Sequence, residues 1–249
     1  MIIKNNLIKR VRKIDFNQIH NIKCEDGMQK LINEGVKFDL IITSPPYNIK
    51  DFHANHLKYD NYRGNNMKEC NYQKWQLCCL DMMYKLLKDD GNLWYNHKVR
   101  ISNGKAIHPL EWLFQTNFIL KQEIVWNQKK GANVDKCRCF PFSERIYWLT
   151  KDSKIKLYNK INIKDVWDIV PKHTRKTYNH PAVMELKVAE NIYKLYENIY
   201  KYKNEILVLD PFAGVGTSFM PIINNKKYKY IGFDVDDDYI QRFKKRKIS

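Results

Sequence analysis

Thr43-Ser44-Pro45-Pro46-Tyr47-Asn48 stands directly behind the apolar run Phe38-Asp39-Leu40-Ile41-Ile42, and Asp210-Pro211-Phe212-Ala213-Gly214-Val215-Gly216-Thr217 stands directly behind Ile206-Leu207-Val208-Leu209. Short β-branched runs ended by Pro or Gly read as buried parallel strands that carry a loop at their C-terminal ends. In an open α/β sheet that edge is where ligands bind. One sheet edge is therefore expected to hold both a Gly-rich turn and a rigid, polar Pro-Pro-Tyr corner.

Outward from these segments the chain reads as doubly wound α/β. A strand is expected over His20–Cys24, a short helix to about Asn33 and a strand over 38–43. Residues 48–70 are polar and Asn-rich and read as a long binding loop. Trp75, Cys78, Cys79, Met82, Met83 and Leu86 recur at helical spacing, with Asp90-Gly91 as the stop. A strand over 92–96 and a helix around Leu110–Gln115 follow. Leu120–Trp126 and Glu144–Leu149 read as an antiparallel hairpin at the sheet edge, and residues 151–180 as mostly irregular. Apolar positions 182, 186, 189, 192, 193, 196 and 199 mark a long amphipathic helix, opened by His180-Pro181-Ala182. Strand 206–210, helix 216–225, strand 228–234 and a final helix complete the pattern. With no repeat and no Gly/Ser/Pro linker, residues 1–249 read as one domain.

The composition bounds the function classes. A chain of 249 residues can bury a large core, and no apolar run approaches the roughly 20 residues that span a bilayer. The segment Met1–Arg12 lacks the apolar block of a secretion signal, and the six cysteines show no C-x-x-C spacing, so reduced thiols in an intracellular compartment are expected. His53, His56 and Cys70 fit no common zinc pattern. The net charge of +17, from 44 Lys+Arg against 27 Asp+Glu, predicts salt-sensitive attraction to a polyanion, although Lys and Asn abound throughout the chain.

Gly214 and Gly216 allow a sharp turn and close approach of backbone to a ligand, and a helix starting behind them would offer free N–H groups. Asp234 ends Tyr230-Ile231-Gly232-Phe233, about 20 residues past the loop, where a Rossmann-type fold sets a carboxylate on ribose hydroxyls. Asp236, Asp237 and Asp238 suit a helix N-terminus.

Together and in this order, the two segments resemble the S-adenosylmethionine-dependent DNA amino-methyltransferases that act on adenine N6 or cytosine N4. With the corner first and the glycine loop last, the chain is similar to their circularly permuted β group, from about residue 20 to residue 245. The resemblance implies a mostly parallel, Rossmann-like methyltransferase sheet with an antiparallel edge hairpin. It implies S-adenosylmethionine as cofactor, held by Asp210, Phe212, Gly214, Gly216, Thr217 and Asp234. Asp26 would lie near the donor adenine, and His180 and Pro181 along its methionine end.

The corner Ser44, Pro45, Pro46 and Tyr47 would be catalytic. An exocyclic amino nitrogen is a poor nucleophile because its lone pair is delocalised into the ring. The Ser44 side chain and the Pro45 carbonyl can accept its hydrogens and favour a pyramidal nitrogen, the prolines stiffen these acceptors, and Tyr47 can stack on a flipped base. Ser in first place leans towards cytosine N4, yet Thr-Ser-Pro-Pro-Tyr-Asn is equally compatible with adenine N6, so the base stays open. Double-stranded DNA is the implied partner, with a cognate restriction endonuclease and a homodimer as further partners and no membrane. The DNA side is expected at loop 48–72 and at 127–180, with Lys129, Lys130, Lys136, Arg138, Lys172, Arg175 and Lys176 for phosphates and Asn127, Gln128 and Asn133 for base edges. Methylation of RNA or of a protein glutamine is the rival chemistry, but those groups usually carry the donor loop first and Asn at the head of the corner. A catalytically inactive nucleic-acid-binding relative is the other rival, against which the intact loop, Asp234 and corner speak.

Overall fold

Burial on both faces makes Phe38–Thr43 a central strand. All six of its residues are buried, and it forms β2 of the computed structural model, which describes residues 14–49, 67–129, 138–157, 162–172 and 183–248. Before it run β1 (Gln18–Asn21) and α1 (Cys24–Asn33). After it come α2 (Glu69–Leu86), β3 (Leu87–His97), the hairpin β4 (Arg100–Ser102) and β5 (Lys105–Ile107), and α3 (Leu110–Leu113). Next are β6 (Ile119–Asn127), β7 (Ser143–Thr150), β8 (Val166–Asp168) and α4 (Leu186–Tyr196). The chain closes with β9 (Ile206–Asp210), a 3-10 helix (Thr217–Ile222), β10 (Tyr228–Asp234) and α5 (Asp237–Ile248).

The large sheet runs β1-β10-β9-β2-β3-β7-β6-β8, with β1 to β3 in that order all parallel. Side chains alternate between its faces as strand pleating demands. Leu40, Ile42, Ile206 and Val208 pack with α4, the 3-10 helix and α5, whereas Ile41, Leu209, Ile231 and Phe233 pack with α1, α2 and α3. The chain leaves β9 towards β10 and leaves β2 towards β3, in opposite directions from two neighbouring strands. That arrangement is a topological switch point, where a crevice opens beyond the strand ends.

Several boundaries differ from the sequence expectation, each for a local reason. The first strand is Gln18–Asn21, and Cys24 already belongs to α1, whose first turn gathers Glu25 and Asp26 at the positive end of the helix. The second helix stops at Leu86 instead of at Asp90-Gly91, since Leu87 turns extended (φ −78°, ψ 140°) and enters β3. The register against β2 then slips between Phe38 and Leu40, which accommodates residues 88–91. Helix 216–225 is a 3-10 helix of six residues: Pro221 has no N–H for the Thr217 carbonyl, so an α-helical turn cannot close there. The β6–β7 hairpin lies one strand in from the edge, because β8 pairs parallel to β6 outside it. The amphipathic helix is Leu186–Tyr196, while His180-Pro181-Ala182 lies outside the described residues, as do His53, His56 and Cys137.

Asp39, at the lower end of β2, is 1% exposed and accepts hydrogen bonds from Lys88 (2.8 Å), Lys203 (2.7 Å) and the Leu207 amide (2.9 Å). Burial pushes its carboxyl up, but these donors outweigh burial and hold it below the usual carboxylate range. The pin ties β2 to β3 and β9 at the end opposite the crevice. No helix among the described residues is long and apolar enough to cross a membrane.

Candidate active site

The two segments meet through a buried carboxylate. Asp210, 3% exposed at the tip of β9, accepts from Thr43 Oγ1 (2.8 Å), Ser218 Oγ (2.6 Å) and the Phe212 amide (3.0 Å). Thr43 immediately precedes Ser44, so this network welds the corner to the glycine loop. Asp210 therefore holds the loop to the corner with both oxygens engaged by protein. Burial pushes its pKa up to about 6, against the three donors that pull it down. A carboxyl raised in the folded state stabilises the fold when protonated. That contribution is present below about pH 4 and lost as pH rises through about 6. Asp210→Asn, which mimics the neutral form, should abolish this dependence. Between about pH 4 and 6 the parent should lose roughly 2–3 kcal/mol relative to the variant in urea unfolding. Parallel profiles across that window would show that Asp210 does not titrate there.

In the glycine loop, Gly214 (φ 51°) and Gly216 (φ 71°) occupy left-handed backbone. A Cβ on Gly216 would sit 2.1 Å from the Phe243 ring. The Gly214 amide does not point free into the crevice but donates to Asp234 Oδ2 (2.9 Å), while Asp234 Oδ1 accepts from the Asp236 amide (2.8 Å). Asp234 thus sits half-buried at the end of β10, held on both oxygens. Phe212 packs edge-on against Trp75 (5.6 Å), and Trp75 Nε1 donates to Glu25 Oε1 (2.9 Å). It is Glu25 that reaches this wall, whereas Asp26 is exposed on the first turn of α1. Thr217 is buried and borders a cleft of about 510 Å³ between the ends of β8 and α4, lined also by Asp168, Lys172, Met184 and Glu185.

On the β2 side, Pro45 is buried and Ser44, Pro46 and Tyr47 are half-buried. Ser44 Oγ lies 2.9 Å from Tyr47 Oη, and Tyr47 donates to Glu144 Oε2 (3.0 Å). Asn96, at the end of β3, donates to Glu144 Oε2 (2.9 Å), to Ser44 Oγ (3.3 Å) and to Tyr47 Oη. Gln128 Nε2 donates to Glu144 Oε1 (3.0 Å). From below, His97 Nδ1 lies within hydrogen-bond distance of both the Lys98 amide (2.8 Å) and the Lys98 carbonyl (2.9 Å), and its Nε2 lies 2.6 Å from Tyr72 Oη. Tyr72 in turn donates to the Pro46 carbonyl (2.6 Å). Burial pushes His97 down to about 3, so the ring is neutral at working pH. Its face packs on Tyr47, with ring centroids 4.7 Å apart.

The ends of the long loop are clamped. Asn48, at φ 55°, accepts from the Met67 amide (2.7 Å) and donates to the Met67 carbonyl (3.1 Å). The buried Arg100 guanidinium grips Glu69 with both forks (2.7 and 2.8 Å) and lies 4.7 Å over the Tyr72 ring. Burial pushes the Glu69 carboxyl up, but the Arg100 pair outweighs it and holds the group below its usual range. Residues 50–66 of the loop lie outside the described residues. Asn96, His97, Glu144, Tyr72 and Arg100 were not singled out from sequence. Their only signal was position, at strand ends and a helix start on the crevice side.

Residues 38–245 match the family model described as DNA methylase, of the N6/N4 type. The chain belongs to the S-adenosylmethionine-dependent DNA amino-methyltransferases. Among curated relatives it is 24% identical to the Type II methyltransferase M.BglII of Bacillus subtilis, over 96% of this chain and 71% of that protein. It is 26% identical to M.ScaI of Streptomyces caespitosus, over 82% and 72%. Among solved structures, the M1.HpyAVI–SAM complex matches with TM-score 0.62 at 22% identity, over 92% of this chain and 98% of that one. PvuII DNA methyltransferase, described as cytosine-N4-specific, matches with TM-score 0.66 at 18% identity, over 87% and 82%. These likenesses extend the mostly parallel methyltransferase fold to this chain.

Proposed function

We propose that this methyltransferase acts on a base flipped out of duplex DNA, placing its exocyclic amino group, adenine N6 or cytosine N4, on Ser44 Oγ and the Pro45 carbonyl. The observation that carries the reading is the Thr43–Asp210 bond (2.8 Å), which fixes the corner beside the glycine loop at the sheet's switch point.

The residues present suit an adenosyl donor. Asp234 is the carboxylate at the end of β10 that would receive the ribose hydroxyls, Phe212 and Trp75 form an apolar wall for a purine, and the left-handed backbone at Gly214 allows close approach. Thr217 and the cleft beside Met184 and Glu185 supply the methionine end. When bound, S-adenosylmethionine supplies an electrophilic methyl group on its sulfonium sulfur. The protein's part is to hold the amino group's two hydrogens so that the nitrogen lone pair points along the reaction axis, and to stack Tyr47 on the ring. Tyr47 suits that task because His97 backs its face and Glu144 fixes its hydroxyl.

Loop 48–72 and the stretch 127–180 form the DNA side in this reading. Lys129 pairs with Asp168 at 2.9 Å, and both side chains are about half exposed, a pair worth little that a phosphate can replace. Affinity for duplex DNA should fall log-linearly with salt, and Lys129→Glu should make that slope shallower by about one. Donor affinity should stay constant. An affinity indifferent to salt would assign the +17 charge to composition alone.

A further inference from the structure

We propose that Glu144 sets the direction of the hydrogen-bond chain through which Ser44 meets its target, so that Ser44 presents lone pairs and not a proton. The inference rests on the corner reading above and adds to it a residue that the Ser-Pro-Pro-Tyr segment does not contain.

Three donors converge on the Glu144 carboxylate: Asn96 Nδ2 (2.9 Å), Tyr47 Oη (3.0 Å) and Gln128 Nε2 (3.0 Å). An ionised carboxylate has no proton to give, so the Tyr47 hydroxyl proton must point at it. Tyr47 Oη is then an acceptor for Ser44, 2.9 Å away, and the Ser44 proton turns inward. Asn96 cannot flip its amide, because its carbonyl oxygen would then face the carboxylate, so its second N–H is shared between Tyr47 Oη and Ser44 Oγ. Among the described residues, Ser44 Oγ is left with lone-pair capacity and no proton to direct outwards.

A hydroxyl standing alone donates or accepts by rotating. In this chain the rotation is decided by a charge at the far end. The resulting polarity suits an amino group, which offers only hydrogens, and rejects a carbonyl, which offers only lone pairs. Replacing the carboxylate by an amide removes the obligate acceptor, because a glutamine can turn either its oxygen or its Nε2 towards Tyr47 Oη. Wherever Nε2 faces it, Tyr47 donates to Ser44 Oγ and the Ser44 proton faces the hydrogens of the amino group. Glu144 is thus a positioning residue that acts through Tyr47 and Ser44.

The test is Glu144→Gln, nearly the same in shape, alone and combined with Tyr47→Phe. Methyl transfer to unmethylated DNA and S-adenosylmethionine binding are measured on each protein. The single variant should lose on the order of 10–10² in kcat. Its KM for DNA and its donor affinity should stay within about twofold, as expected for an interaction made at the reacting centre. With the ring kept and the hydroxyl gone, Tyr47→Phe should itself lose part of the rate, and Glu144→Gln should then cost nothing more. Full kcat in Glu144→Gln, or an undiminished loss in the Tyr47→Phe background, overturns the proposal. If Glu144→Gln is unfolded by circular dichroism, full kcat in Tyr47→Phe overturns it instead. Ser44→Ala separates the levels: an active Ser44→Ala sinks the corner reading itself, while an inactive one beside a fully active Glu144→Gln sinks only the polarity argument.

Discussion

Ser44→Ala should lower methyl transfer by on the order of 10²–10³-fold while leaving S-adenosylmethionine affinity unchanged. Losing one preorganised hydrogen bond at a reacting centre costs about that much. The site around Ser44 is preorganised in the required sense. Its neighbour Thr43 is fixed to Asp210, the Pro46 carbonyl is held by Tyr72, and Asn96 and Tyr47 orient the hydroxyl. The alanine removes the acceptor without opening a cavity of any size, and the donor contacts proposed above lie at the ends of β9 and β10. Tyr47→Ala should be worse than Tyr47→Phe, because stacking on the base needs the ring. The assay is tritiated methyl transfer to unmethylated DNA with nucleoside analysis, which also names the base as N6-methyladenine or N4-methylcytosine. A 5-methylcytosine product, or full activity in Tyr47→Ala, would refute the mechanism.

Asp234→Ala should show the opposite pattern, with donor affinity falling on the order of 10²-fold or more. Hydrogen bonds to a charged acceptor are worth about 1.5–3 kcal/mol each, and two ribose hydroxyls would lose theirs. The variant also unhooks the loop, since the Gly214 amide (2.9 Å) and the Asp236 amide (2.8 Å) both end on this carboxylate. Asp234→Asn keeps the shape and one acceptor oxygen, so it should fall between parent and alanine. Calorimetric titration with S-adenosylmethionine reads the effect without DNA. Donor binding by Asp234→Ala as tight as the parent's would remove Asp234 from the donor site. Crossed results, with Ser44→Ala silent in binding and Asp234→Ala weak in it, are what two sites on two strands predict.

The strands that carry these residues were legible because they are buried on both faces. Phe38–Thr43 and Ile206–Asp210 show dense apolar runs, interrupted in the first only by Asp39 and followed closely by Pro, and their bounds came out as expected. Strands of three residues were not legible. Val166–Asp168 is too short for alternation to register, and it pairs with β6 far away in sequence. The β4–β5 hairpin did carry a signal, Asn103-Gly104, whose positive φ values (50° and 76°) are those of a tight hairpin turn. The 3-10 helix was legible only as a helix, although Pro221 held the reason it could not be an α-helix.

At the site, residue type and local spacing by themselves determined the corner, the glycine loop and the carboxylate at the end of β10, because each is a local device that needs its residues in consecutive or strand-spaced positions. Their partners were decided by the tertiary structure alone. Tyr47 and Glu144 are 97 residues apart, and Thr43 and Asp210 are 167 apart. Such pairs exist only once β2 lies between β9 and β3 with β7 beyond. Hydrogen-bond direction is likewise a property of the assembled network. A serine hydroxyl has no polarity of its own until a charged acceptor two links away settles which way every proton in the chain must point.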